Sequence, residues 1–294
     1  MGEAKAVSHQ DGFARSPCPE SETESEEVAR PAESSARSVL FGAARNISFG
    51  ILGFAILFAS WYLMWASGLV NRDLVPRPDE IFFRLVHDFA ASGLAWDVLA
   101  SVQRVLTGMV IGMALAIPAG IALAWYPVLG RIFQPVINSF RAIPPIALSP
   151  LVIVYLGIGE VARASILVYA AFFTSLIVIY EAVSAIEEIY IRAARVVGAT
   201  ETEIFRKIVI PLLVPNLFVA LRLTLGVCWG TLVAAELLAA DRGLGAVIQN
   251  AGNYFVIPDI YVGLVCIGAI ALAMDAIIRK AMAVVVNWQE RVER

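Results

Sequence analysis

The chain has 294 residues, of which 59% are hydrophobic and 16% charged, with a formal net charge of −3. A water-soluble domain is nearer a quarter charged, so an ordinary soluble globular fold is excluded. Cys18, Cys228 and Cys266 give no disulfide framework, and His9 and His87 are too few for a histidine-based metal site.

Residues 1–38 carry Glu3, Asp11, Glu20, Glu22, Glu24, Glu26, Glu27 and Glu33 among Ser, Pro and Ala. Such a segment cannot bury a core and reads as a disordered tail. No charge falls between Arg45 and Arg72 or between Arg104 and Arg131. A helix needs about 20 apolar residues to cross a bilayer, so both windows predict transmembrane helices. Long runs without alternation exclude barrel strands. The first run starts too late and is too long for a signal peptide, so residues 39–73 read as a retained anchor.

Apolar length places spans at about 47–67, 99–125, 134–156, 162–183, 213–238 and 259–284. The expected fold is therefore an all-α polytopic membrane protein of about six helices. The third span holds Pro144-Pro145 and Pro150, which remove backbone donors and predict a kink. Residues 74–98 should lie outside the membrane. There Ile81, Phe82, Leu85, Val86 and Phe89 recur at helical spacing, with charges between them, which predicts a short amphipathic surface helix.

Lys and Arg set the orientation. With the N-terminus inside, Arg37, Arg45, Arg131, Arg192, Arg195, Arg206, Lys207, Arg279, Lys280, Arg291 and Arg294 face the cytoplasm. Only Arg72, Arg77, Arg84, Arg163 and Arg242 face out. Both termini, including the tail 289–294, and the polar loop 184–212 are then cytoplasmic. Arg131 and Arg163 read as topology signals alone.

That loop is the most informative segment. Arg192, Arg195, Glu201, Glu203, Arg206 and Lys207 cluster between two apolar runs, which suits docking of a soluble partner. An ordinary amphipathic surface loop is the alternative. Ala193-Ala194 keep a helix face slim. Gly198 can end that helix at positive φ. Thr200 and Glu203 are spaced for a capping box on a second helix. Phe205 and Ile208 would offer apolar anchors, and Pro211 would reset the direction into the next span.

Charges inside spans are costly and mark functional candidates. Arg104, Arg141, Arg222, Glu236 and Asp275 qualify. Arg141, beside Pro144 and Pro145, could attract an anion in a cavity. Arg222 and Glu236 are further pathway candidates. Internal pairing of Arg104 or Arg222 with Glu236 or Asp275 is the competing reading. Asp241-Arg242-Gly243-Leu244-Gly245 permits a tight outer turn, so Gly243, Gly245 and Glu160 are candidates for a gate or an outer-partner contact.

The pattern Ala193-Ala194-x3-Gly198-Ala199-x8-Ile208-x-Ile210-Pro211 resembles the EAA loop of bacterial ABC-importer permeases. Arg192 stands where that loop usually has Glu, and Ile210 where it usually has Leu. Further stretches fit the same family: Leu74-Val75-Pro76-Arg77-Pro78, Ser101-Val102-Gln103-Arg104-Val105, Arg141 to Ala147, Leu156-Gly157-Ile158-Gly159-Glu160, Leu232 to Glu236 and Gly243-Leu244-Gly245. Together they cover roughly residues 74–288, with a permease core at 99–288. They are similar to the branch that imports taurine, alkanesulfonates, nitrate and bicarbonate, and Trp229 to Leu237 most resembles taurine permeases.

The resemblance implies a type I ABC-importer permease in the bacterial inner membrane. It implies two permease copies, expected to form a homodimer, surrounded by lipid. Two ATPase subunits would dock on the cytoplasmic loops, and a periplasmic or lipid-anchored binding protein would deliver substrate. No nucleic-acid partner is expected. The chain lacks the Gly-Lys of a phosphate-cradling loop, so ATP and Mg would be bound by the partner and no cofactor or catalytic residue is expected here. Taurine or another sulfonate is the leading cargo. Nitrate, bicarbonate and an aromatic carboxylate are alternatives. An ion-coupled secondary transporter is the alternative of a different class, although Glu236 and Asp275 are its only deep acids and no repeat is evident.

Overall fold

A computed structural model describes residues 52–68, 71–72, 74–91, 93–239 and 241–286. The acidic tail and the C-terminal tail lie outside these residues. Residues Leu52–Ala66, inside the segment read as an anchor, form an apolar helix, α1. Contacts divide the chain after Trp61, and the permease core belongs to the unit from Tyr62 onward.

The described residues form helices and turns, with no strand among them. Four of their helices are long and apolar enough to span a membrane, or five if one bent pair is a single span. Helix α2, Pro78–Ala91, begins with a proline and two acids at its N-terminus, as helix starts favour. It falls in the segment expected to be an amphipathic helix; of the apolar positions named there Ile81 is buried, while Phe82, Val86 and Phe89 are exposed. Arg84 donates to Asp259 at 2.8 Å, tying α2 to the last span.

Helix α3, Leu94–Trp125, has 32 residues. At 1.5 Å per residue it runs about 48 Å, longer than a hydrocarbon core of about 30 Å. It starts at Leu94, after Gly93 at φ 80°, rather than at residue 99 as apolar length suggests. Asp97 thus belongs to the first turn of α3 rather than to a surface segment.

Helix α3 packs most extensively on α6, Glu160–Ser184. The reason lies in its glycines. A Cβ at Gly108 would stand 2.4 Å from Leu167 Cβ, and one at Gly112 would stand 2.5 Å from Ala171 Cβ. Without side chains at these positions the backbones approach closely, which is how helices associate where lipid removes the hydrophobic drive. Gly112→Val should cost about 1–3 kcal/mol of stability through overpacking. A lower thermal midpoint in detergent, beside an unchanged Gly226→Ala control with open space around it, is the expected measurement.

The third span is not one kinked helix. Helix α4, Pro127–Arg141, and the segment Pro145–Leu156 meet at 83°. The second part is a 3₁₀ turn, Pro145–Leu148, followed by α5, Ser149–Leu156. Pro145 disfavours helical ψ at the residue before it, and Pro144 accordingly sits at φ −58°, ψ 130°. The single prolines inside α3 and α4, Pro118 and Pro135, break nothing.

Helix α7, Glu188–Val196, leads to α8, Glu201–Ile204. A π turn at Phe205–Val209 then joins α8 to α9, Ile210–Ala239. The run from Glu201 to Leu237 is one continuous helix, so Pro211 does not reset direction as expected. Pro211 has no N–H, and its ring would press on the carbonyl four residues back. A widened turn just before it relieves that clash while the helix continues. Helix α10, Leu244–Asn253, and α11, Ile257–Val285, complete the described chain.

Candidate functional site

Three constellations stand out, beginning at the end that the charge bias places outside. Glu236 of α9 is 1% exposed. Its carboxylate accepts from Ser101 Oγ at 2.8 Å, Arg104 Nη1 at 2.6 Å and the Gly245 N–H at 2.8 Å. Arg104 turns its other donors to Glu160, with Nε–Oε2 at 2.7 Å and Nη2–Oε1 at 2.6 Å. It also donates to the Arg242 carbonyl at 2.7 Å. Arg163 adds a bond to Glu160 at 2.7 Å. One forked guanidinium therefore bridges two carboxylates from different helices, the geometry arginine serves better than lysine.

The N-terminus of α10 is built into this cluster. No side chain of its own caps it. Instead Asp97 accepts from the Gly243 N–H at 3.0 Å, and Ser101 Oγ accepts from the Leu244 N–H at 2.9 Å. Carboxylates at a helix N-terminus satisfy free N–H groups and complement the dipole. The glycines are required by contact. Gly243 has φ 130°, and a Cβ there would lie 2.5 Å from Glu236 Oε1. A Cβ at Gly245 would lie 2.5 Å from Glu236 Cβ. Glu160, Gly243 and Gly245, read as a gate, thus join Glu236, read as a pathway residue, in one latch across α3, α6, α9 and α10. A cavity of about 530 Å³ opens over it, lined by Gln103, Thr107, Glu160, Arg163, Asp241 and Arg242 among others.

Two expectations change here. Arg163 is buried and paired with Glu160, so it does more than signal topology. Arg222 is committed to Asp275 of α11 at 2.7 Å, with Arg279 on the same carboxylate at 2.9 Å. Both internal pairs of the competing reading, Arg104 with Glu236 and Arg222 with Asp275, are present.

Arg141 is different. It ends α4 at the break before Pro144 and Pro145, and no ion pair or hydrogen bond engages its guanidinium among the described residues. With Gln134 and Asn138 it forms one polar stripe of α4, facing Tyr180 and Glu181 of α6 across a cavity of about 250 Å³. The opposite stripe, Leu129, Phe133, Val136 and Phe140, is apolar and lies beside Tyr169 and Phe173. Phe140 stacks on Phe173 at 6.0 Å, and Tyr169 Oη donates to the Phe140 carbonyl at 2.5 Å. These contacts fix the register of α4 on α6.

At the opposite end, Gly198 at φ 85° closes α7. Its N–H bonds the Arg195 carbonyl at 3.0 Å, and the Ala199 N–H bonds the Ala194 carbonyl at 3.0 Å, the paired reverse bonds of a Schellman turn. The Thr200–Glu203 capping box is formed as its spacing predicts. Arg195 donates to Glu201 at 3.0 Å across the turn. Arg192 pairs with Glu188, and its guanidinium holds that carboxyl below the usual range. Phe205 does not stand free: it packs edge-on against Trp125 at 5.6 Å. Ala193 is exposed, whereas Ala194, Ala199 and Ile208 are half-buried.

The most exposed apolar residues of this loop are Val196 and Val197, at 87% and 88%, with Ile189 and Tyr190 of α7 also exposed. Sequence reasoning passes over this pair. Its signal is two β-branched apolar residues just before a terminating glycine, in a segment otherwise charged.

Comparison with known proteins supplies the family. The binding-protein-dependent transport system inner membrane component family matches residues 108–289. A probable ABC transporter permease protein of Brucella abortus is 40% identical over 246 residues, covering 84% of this chain and 97% of that protein. The taurine transport system permease protein of Escherichia coli is 29% identical over 255 residues, covering 85% of this chain and 93% of its own. The fold resembles a chain of the inward-facing MetNI methionine ABC transporter, with TM-score 0.56 and 23% identity over 66% of this chain and 94% of that one. The chain therefore belongs to the binding-protein-dependent transport system inner membrane component family: it is a multi-pass permease of bacterial inner-membrane ABC importers, a transport component rather than an enzyme, in the branch that includes permeases named for taurine, aliphatic sulfonates and bicarbonate.

Proposed function

We propose that this permease imports taurine or another small organosulfonate. The observation that carries the reading is Arg141, a cation without a protein partner among the described residues, at the break of the third span and lining a cavity sized for a small molecule. An intramembrane cation needs an anion, water or a pore, whereas Arg104, Arg163 and Arg222 are each answered by a carboxylate. The likeness to a taurine permease, and the Trp229–Leu237 run, favour a sulfonate over nitrate, bicarbonate or an aromatic carboxylate.

In this reading two copies enclose the pathway. ATPase subunits, which hold ATP and Mg, dock on α7 and α8. A binding protein delivers cargo at the outer latch. Each partner biases one of two permease states, as a bistable element requires.

A thermal-shift screen of the cognate binding protein tests the cargo. Stabilisation by taurine or alkanesulfonates is expected. Stabilisation by nitrate or bicarbonate alone would overturn the assignment.

A further inference from the structure

We propose that the cavity between α4 and α6 is a binding site for a small zwitterion, with its anionic head on Arg141 and its ammonium group on Glu181. This rests on the proposed role as a permease for a small anionic cargo and narrows its chemistry.

The cavity holds two opposite charges that leave each other alone. Arg141, Gln134 and Asn138 come from α4, and Tyr180 and Glu181 from α6. Neither the Arg141 nor the Glu181 side chain has a hydrogen bond or ion pair among the described residues. Arg104, Arg163, Arg222 and Arg279 all rest on carboxylates. Arg131, Arg206 and Arg242 also lack a carboxylate among the described residues, but Arg141 alone of these shares this cavity with Glu181.

Their separation follows from the register. A Cβ at Gly130 would lie 3.8 Å from Tyr180 Oη, which sets the Tyr180 hydroxyl beside the start of α4. Arg141 ends that helix, about 16 Å further along its axis. Both side chains line the one cavity, so a short molecule charged at both ends can meet the two groups together. The amides of Gln134 and Asn138 lie between the two levels and both donate and accept.

Size and sign both select. Pockets for drug-sized ligands run roughly 300–1,000 Å³, so a cavity of about 250 Å³ suits a molecule of few atoms. A simple anion such as nitrate or bicarbonate would use Arg141 but leave Glu181 without a counter-charge. An amino-sulfonate answers both groups.

The test uses the detergent-purified complex of permease and ATPase, without binding protein, so that only membrane-site selectivity is read. Radiolabelled taurine is titrated, with ethanesulfonate, which lacks the amine, as competitor. Taurine should bind about tenfold more tightly than ethanesulfonate. Glu181→Gln should remove that preference by weakening taurine alone. Arg141→Gln should weaken both, and Arg141→Lys should keep most binding. Co-elution with the ATPase checks that each variant is folded, and the wild-type comparison stands without them.

Equal affinities in the wild type, an unchanged preference in Glu181→Gln, or no taurine binding would each overturn the zwitterion site. The binding-protein screen separates the two readings. A sulfonate response there with a failed cavity test removes only this inference, whereas a response to nitrate or bicarbonate alone removes the sulfonate assignment.

Discussion

Arg104→Gln should destabilise the folded permease by about 3–5 kcal/mol, because it leaves a buried carboxylate without its counter-charge. Glu236 is 1% exposed and cannot turn to water. The substitution removes the charge, the 2.6 Å bond to Glu236 and the fork to Glu160 together. It also strips a donor from the Arg242 carbonyl, which holds the turn before α10. The expected readout is a large fall in thermal midpoint in detergent and a low yield in the membrane. Glu160→Gln should cost less, about 1–3 kcal/mol, since Arg104 retains Glu236 and the amide oxygen can still accept from Arg104 and Arg163, although buried Arg163 loses this carboxylate. The double change Arg104→Gln with Glu236→Gln should recover part of the loss by removing the stranded charge. An Arg104→Gln protein that melts with the wild type would show that the latch does not hold these helix ends together.

How much of this is legible in the chain depends on what each signal measures. Charges in apolar runs are rare and expensive, so Arg104, Arg222, Glu236 and Asp275 are marked for pairing by sequence alone. Which arginine meets which acid stays open until the helices are packed, and the fork of Arg104 on Glu160 appears only then. The Gly198 turn and the Thr200–Glu203 box are legible because capping chemistry acts over three or four residues.

The broken third span is not legible in the same way. Apolar length is a one-dimensional count and is blind to an 83° turn within it. Proline alone does not decide the matter, since Pro118, Pro135 and Pro215 all sit inside helices. What breaks the chain is a proline that fixes the ψ of another proline before it. Glu181 and Tyr180 escape a sequence reading for a related reason. Nothing local marks them until α4 is laid against α6, and that register depends on Phe140, Phe173 and Gly130. Arg163 reads as a topology signal because its partner Glu160, one turn earlier, is itself a candidate for an outer contact.

Gly198→Asp should abolish association with the ATPase while leaving the permease inserted and folded. The substitution is tolerable where it stands. Gly198 sits at φ 85°, and a Cβ there meets nothing within 4 Å. Aspartate is among the residues that visit left-handed conformations most readily, so backbone strain of about 1–2 kcal/mol is the upper expectation. Docking suffers more. The new carboxylate would stand beside Val196 and Val197, the most exposed apolar residues of the loop. A partner that covers this pair would bury the carboxylate with no cation assigned to it, because Arg195 is already engaged by Glu201 and Arg192 by Glu188. Burying an unpaired charge costs several kcal/mol, and each 1.4 kcal/mol is tenfold in affinity, so a loss of about 100-fold or more is expected. Gly198→Ala adds comparable strain without charge and should keep most of the complex. Affinity purification through a tagged permease, with the ATPase quantified in the eluate, reads both variants. If Gly198→Asp still retained a full complement of ATPase, the partner would have to dock elsewhere than on the turn between α7 and α8.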